Sequence, residues 1–145
     1  MGSLRSNGSS TPGEKAPVES VDADAACALL STGQYGYVDV RMWEDFDKGH
    51  VAGARNVPYY LSVTPHGGPE KNDRFVDQVA ALHGKDDRLI VGCRSGVRSR
   101  LAAADLVHAG FTNVKNLEGG YLSLLKSANP HPTALITSNP ASPTN

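Results

Sequence analysis

Short β-type runs alternate with helical patterns along the middle of this chain, and no other feature limits its fold as tightly. Val21 to Leu30 places Ala23, Cys27 and Leu30 on one helical face, and a short strand is expected before it near Pro17–Glu19. Tyr35 to Val40 reads as a strand, Trp43 to Lys48 as a short helix stopped by Gly49, and Ala54 to Val57 as a strand ended by Pro58. After a loop rich in Pro and Gly, Asn72 to Leu82 repeats apolar residues at Phe75, Val76, Val79, Ala80 and Leu82, which is helical spacing. Arg88 to Gly92 is a short apolar strand. Val97 to His108 is a helix that is apolar on most sides except the stripe Arg98, Asp105 and His108. Asn113 to Leu117 and Gly120 to Ser127 read as a last strand and a last helix. Strands separated by helices predict an α/β fold whose parallel sheet is covered on both faces. Ligands of such sheets bind beyond the carboxyl ends of the strands, and Cys93 follows one of those ends directly.

The 145 residues suffice for one domain with one active site. Polar tails at 1–15 and 129–145, rich in Ser, Gly and Pro, are expected to be disordered around a domain at 16–128. Fourteen Lys and Arg against fifteen Asp and Glu leave a net charge of -1, so bulk charge gives no case for nucleic acid or an anionic membrane. The two cysteines, Cys27 and Cys93, exclude a disulfide-rich scaffold, and no Cys/His spacing suggests a structural zinc site. No run approaches the length of a membrane span, and a reducing cytoplasmic setting is the expectation. Two alternatives rest on the amino terminus: myristoylation at Gly2, whose pattern lacks the second signal that stable attachment needs, or a short Ser-rich transit peptide to a plastid. A monomer is expected, with a weak dimer as the alternative.

The segment Ile90-Val-Gly-Cys-Arg-Ser-Gly-Val-Arg-Ser-Arg100 carries the chemistry. A buried strand runs into a loop that opens a helix, so amides without intrahelical partners can converge on an anion. Those amides, with Arg94 and Arg98, favour a thiolate at Cys93 and create a nucleophile at neutral pH. Gly96 lets the backbone curl close to the sulfur. A small buried hydrophobe is the bland account of a cysteine, but Arg94, Arg98 and Arg100 are poor company for one. Cysteine phosphatases place an arginine six positions after the cysteine, where this chain has Ser99. The shorter loop predicts a tighter ring of amides, suited to one added sulfur rather than to a tetrahedral phosphoryl group.

Four ordered motifs resemble the single-domain rhodanese-like sulfurtransferases: Asp39-Val-Arg41, Gly49-His-Val-Ala-Gly-Ala-Arg-Asn-Val-Pro58, Cys93-Arg-Ser-Gly-Val-Arg98 and Leu117-Glu-Gly-Gly-Tyr121. The stretches around Cys93 and at Asp105 to Phe111 look most like the small plant members, some associated with senescence and some with arsenate reduction. The resemblance implies a three-layer α/β fold with a five-stranded parallel sheet flanked by helices. It also implies a persulfide on Cys93, loaded by thiosulfate or a similar anionic donor and discharged to cyanide, a thiol or a protein. The loop residues Arg94, Ser95, Gly96, Val97 and Arg98 would bind substrate, with Asp39, Arg41 and Ser99 in support. No metal or organic cofactor is implied. An arsenate reductase using the same cysteine with glutathione is the alternative enzyme, and a protein-binding module the alternative of another class. The chain has Leu124 where the family commonly has Trp, a departure expected to alter packing of the last helix rather than chemistry.

Other candidates read as structural. His50 sits in a helix-to-strand turn, Cys27 faces the core side of the first helix, and Asp39 more plausibly fixes loop geometry than moves a proton. His66 stands in a Pro/Gly loop that could rim the pocket, with nothing to raise it above a surface histidine.

Overall fold

In a computed structural model, which describes residues 18–63, 69–126 and 136–137, the central strand is the one that ends at the cysteine. The elements in chain order are β1 (Glu19–Val21), α1 (Ala23–Ser31), β2 (Gly36–Asp39), α2 (Trp43–Lys48), β3 (His50–Val51), β4 (Arg55–Asn56), β5 (Tyr60–Val63) and β6 (Pro69–Lys71). They continue as α3 (Phe75–Leu82), β7 (Arg88–Gly92), α4 (Val97–His108), β8 (Asn113–Leu117), α5 (Gly120–Lys126) and β9 (Ile136–Thr137). Five strands form one sheet in the order β1-β8-β7-β2-β4, and every neighbouring pair is parallel.

The period of two along the strands divides the core. Val38, Leu89 and Val91 face Phe75, Val79, Ala102, Ala103, Leu106 and Phe111 on one side. Tyr37 and Ile90 face Ala26, Cys27, Leu117 and Leu124 on the other. Both clusters are buried, so the sheet is covered on both faces as the alternation predicts, and each large side chain contributes about 1.5–3 kcal/mol. Cys27 lies in the second cluster. Leu124, fully buried there, fills its place without an aromatic ring.

Element boundaries shift where side-chain hydrogen bonds outrank periodicity. Val21 ends β1 instead of opening a helix, because Asp22 caps α1: its Oδ1 accepts from the Ala25 amide at 2.8 Å. The first strand therefore lies at Glu19–Val21, later than Pro17–Glu19, and pairs with β8. The third helix starts at Phe75 rather than Asn72, whose side chain instead donates to the Pro58 carbonyl and to Gln78 Oε1, each at 2.8 Å. The β-rich run after Pro58, expected as loop, forms the antiparallel hairpin β5–β6. The carboxyl-terminal segment expected to be disordered contributes one short strand: Ile136–Thr137 pairs antiparallel with His50–Val51. Ile136 and Thr137 are both β-branched, a residue type favoured in strands, and the surrounding prolines obscure the strand in the sequence. His66 lies outside the described residues, as does most of each tail.

Register sets up the site. Asp39 of β2 lies beside Gly92 of β7, and the Val40 amide donates to the Gly92 carbonyl at 2.9 Å. The two strands thus end level, and Arg41 and Cys93 leave the sheet at the same edge.

Candidate active site

Gly92 is the last residue of β7, and its missing side chain is required by a neighbour: a Cβ there would overlap the Tyr37 hydroxyl. The chain then turns through Cys93 and enters α4 at Gly96, whose φ of 101° lies in the left-handed region where glycine alone is unstrained. The turn brings the Gly96 amide to 3.0 Å and the Ser99 amide to 3.4 Å from Cys93 Sγ, and both donate to it. Two donors at the positive end of a 12-residue helix stabilise negative charge on the sulfur. Among the described residues the amides that reach the sulfur are those of Gly96 and Ser99, so Ser99, expected in support, is a direct backbone donor. The Ser99 hydroxyl does a different job, donating to Asn116 Oδ1 and tying the first turn of α4 to β8.

The loop is bolted from the other side by α5. The Tyr121 amide donates to the Cys93 carbonyl at 2.7 Å and the Leu122 amide to the Arg94 carbonyl at 3.2 Å. This close approach explains Gly120, with φ of 65°, because a Cβ there would overlap the Arg94 carbonyl. The Gly119-Gly120-Tyr121 motif is thus part of the site's frame, although no reading of its residue types alone placed it there.

A cleft of about 310 Å³ opens above Cys93, lined by Arg41, Asp45, Cys93, Arg94, Ser95, Val97 and Arg98. Cys93 is 3% exposed, so the sulfur lies at its floor. Arg41 is more than scaffold. Its Nε and Nη2 grip Asp39 at 2.7–3.0 Å, Nη2 also donates to the Gly49 carbonyl at 2.7 Å, and the guanidinium lies 4.2 Å from the centre of the Tyr121 ring. Burial works against its charge, but the hydrogen bond and attraction of Asp39 outweigh that and hold the Arg41 guanidinium above its usual range. Asn56 fixes the bend by donating to the carbonyls of Asp39 and Arg41 at 3.0 and 2.9 Å. Arg94 and Arg98 face the cleft, and among the described residues neither has a carboxylate within ion-pair distance.

The structure brings together Cys93, Arg94, Ser95, Gly96, Val97, Arg98, Arg41 and, through backbone, Ser99. Asp39 sits behind Arg41. Arg100 points to a separate groove with Leu101, Asn116 and Glu118, so the cationic cluster of the sequence splits across two faces of the loop. His50 takes a structural role, its Nδ1 2.8 Å from the Phe46 carbonyl and its ring stacked on Phe46 at 3.8 Å. Asp45, Tyr37, Tyr60 and Tyr121 were missed by sequence reasoning. Of these only Tyr121, in the Leu117-Glu-Gly-Gly-Tyr121 motif, stood in a segment that the sequence singled out; Asp45 lies in the first turn of α2.

A five-stranded parallel sheet whose central strand ends in this cysteine loop is the architecture of a rhodanese-like domain, and residues 22–127 match that family, the Rhodanese-like domain. The chain belongs to it, and sulfur transfer is the family's chemistry. Within the family it is related to plant proteins at moderate identity: 46% over 111 residues with thiosulfate sulfurtransferase 16, chloroplastic, of Arabidopsis thaliana, covering 77% of this chain and 90% of that one. Thiosulfate sulfurtransferase 18 of the same plant is 44% identical over 117 residues, covering 79% and 82%. The protein HIGH ARSENIC CONTENT 1, mitochondrial, also from Arabidopsis thaliana, is 43% identical over 104 residues, covering 72% and 60%. The solution structure of a rhodanese-like domain from Anabaena sp. superposes with a TM-score of 0.65 at 22% identity, covering 87% of this chain and 85% of that one, and supports the fold.

Proposed function

We propose that this protein is a thiosulfate-type sulfurtransferase with Cys93 as the nucleophile. The Cys93 thiolate attacks the outer sulfur of thiosulfate, a sulfur–sulfur bond forms at Cys93, the donor's own sulfur–sulfur bond breaks, and sulfite departs with the electron pair. Cyanide or a thiolate then attacks the outer sulfur of the Cys93 persulfide, leaving as thiocyanate or as the acceptor's persulfide and restoring the thiolate. No proton or electron is left over. The observation that carries this reading is the convergence of the Gly96 and Ser99 amides on Cys93 Sγ at the floor of a cleft walled by Arg41, Arg94 and Arg98. Amides fixed before reaction stabilise thiolate and persulfide alike, and the arginines attract a small dianion.

Intact-mass measurement after incubation with thiosulfate tests it. One added sulfur atom is expected on the wild type, removed again by cyanide, and none on Cys93→Ser. A wild-type chain that gains no sulfur overturns the proposal.

A second substrate is favoured by one relative, the Arabidopsis protein named for high arsenic content. Arsenate is a tetrahedral oxyanion that the same arginines attract, and glutathione would supply the reducing equivalents. Arsenate turnover with glutathione, run beside the sulfur assay, separates the two.

A further inference from the structure

Arg98 occupies an electrostatically poor position. It stands in the first turn of α4, where the helix presents the positive end of its dipole, and it shares the cleft with Arg41 and Arg94. The cleft's carboxylate, Asp45, makes no ion pair with it, and neither does any other described acid. The charges of its neighbours would push a half-buried arginine so placed outward into solvent. Yet its guanidinium carbon lies 4.9 Å from the centre of the Tyr60 ring, within the range of a cation–π contact.

Tyr60 is itself held from behind. Its ring meets Tyr59 edge to face at 5.2 Å, and Tyr59 meets Phe75 in the same manner at 5.3 Å. The Tyr59 hydroxyl donates to Asp105 Oδ2 at 2.7 Å, and Lys71, paired with Tyr60 across the β5–β6 hairpin, reaches the same carboxylate at 3.2 Å. The stripe Arg98 and Asp105 on α4 is thus joined through two tyrosines of a neighbouring hairpin.

We propose that Tyr60 is a positioning residue for the anionic donor, holding Arg98 over the cleft by its ring face. The choice of an aromatic anchor has a chemical point. A carboxylate would fix Arg98 equally well but cancel its charge, as Asp39 does for Arg41, whereas a ring quadrupole holds the cation and leaves its hydrogen-bonding edge available to an incoming dianion. This inference rests on the sulfurtransferase reading and assigns to Tyr60 the affinity for donor charge, not the bond-making step.

The test follows Cys93 adducts by mass in single turnovers at varied reagent concentration: the persulfide formed from thiosulfate, and, from an uncharged organic trisulfide, the mixed disulfide formed as the alkyl persulfide leaves. Tyr60→Leu is expected to raise the half-saturating thiosulfate concentration roughly two- to fivefold, with the maximal rate unchanged. Tyr60→Phe, which keeps the ring face, is expected to match the wild type, and neither variant should alter capture from the trisulfide. An unchanged half-saturation in Tyr60→Leu, or an equal loss with the uncharged donor, overturns the role of Tyr60 while leaving sulfur transfer intact. A wild type that gains no sulfur from thiosulfate overturns the sulfurtransferase reading, and Tyr60's role with it.

Discussion

Tyr37 shows how closely single residues are constrained beneath the loop. Its ring fills the space that Gly92 leaves open, and its hydroxyl is buried with no hydrogen-bond partner among the described residues. Burial, reinforced by Asp39, pushes the Tyr37 phenol well above its ordinary value. The sign of the consequence is fixed. Above about pH 10 the unfolded chain releases this proton while the folded one keeps it, so stability falls with rising pH by about 1.4 kcal/mol per unit from this group. Thermal unfolding of Tyr37→Phe is expected to show a shallower alkaline loss than the wild type. At neutral pH it should show equal or higher stability, because an unsatisfied hydroxyl has been removed. At this scale the sequence was readable where neighbours in space are neighbours in the chain. Cys93, Gly96 and Arg98 share one turn and could be seen together, whereas Tyr37, Tyr60 and Tyr121 reach the site from three other elements, and even the motif that holds Tyr121 does not say that its amide grips the Cys93 carbonyl.

Elements follow a similar rule. The parallel strands and their covering helices carry strong periodic signals, since burial on both faces of the sheet forces near-continuous apolar runs such as Leu89 to Val91. Where a polar side chain sets the boundary, periodicity misplaces it, as with Asp22 at α1 and Asn72 before α3. Replacing the cap tests this directly: Asp22→Ala is expected to lower stability by about 1 kcal/mol with sulfur capture unchanged, read by denaturant unfolding beside the mass assay. The β5–β6 hairpin escaped notice because Pro58 and the glycines and prolines at 65–69 read as loop, yet it supplies the ring that faces Arg98. β3 and β9 carried no signal for want of length, two residues each being too few to show an alternation.

For the whole molecule, net charge is a poor guide to the field a substrate meets. The total of -1 averages an acid excess elsewhere with a cleft in which Arg94 and Arg98 have no ion-pair partner among the described residues, while Arg41 is offset by Asp39. Exposed charges attract an anion over roughly 10 Å at 0.1 M salt and over about 3 Å at 1 M. The second-order rate of persulfide formation from thiosulfate is therefore expected to fall several-fold between these ionic strengths, while capture from an uncharged donor stays level. Stopped-flow measurements on both donors check it, and parallel slopes would mean that the arginines do not steer.

The bolt between α5 and the cysteine loop also bears on how the protein is made. During synthesis Cys93 leaves the ribosome before β8, its strand's neighbour in the sheet, and before the Tyr121 and Leu122 amides that grip the loop carbonyls. At about 5–20 residues per second the nascent chain passes through an interval of a few seconds in which the thiol exists but the α5 grip on its loop does not. The frame of the loop is therefore completed last, by α5, after the residues that supply the Gly96 and Ser99 amides have already been made.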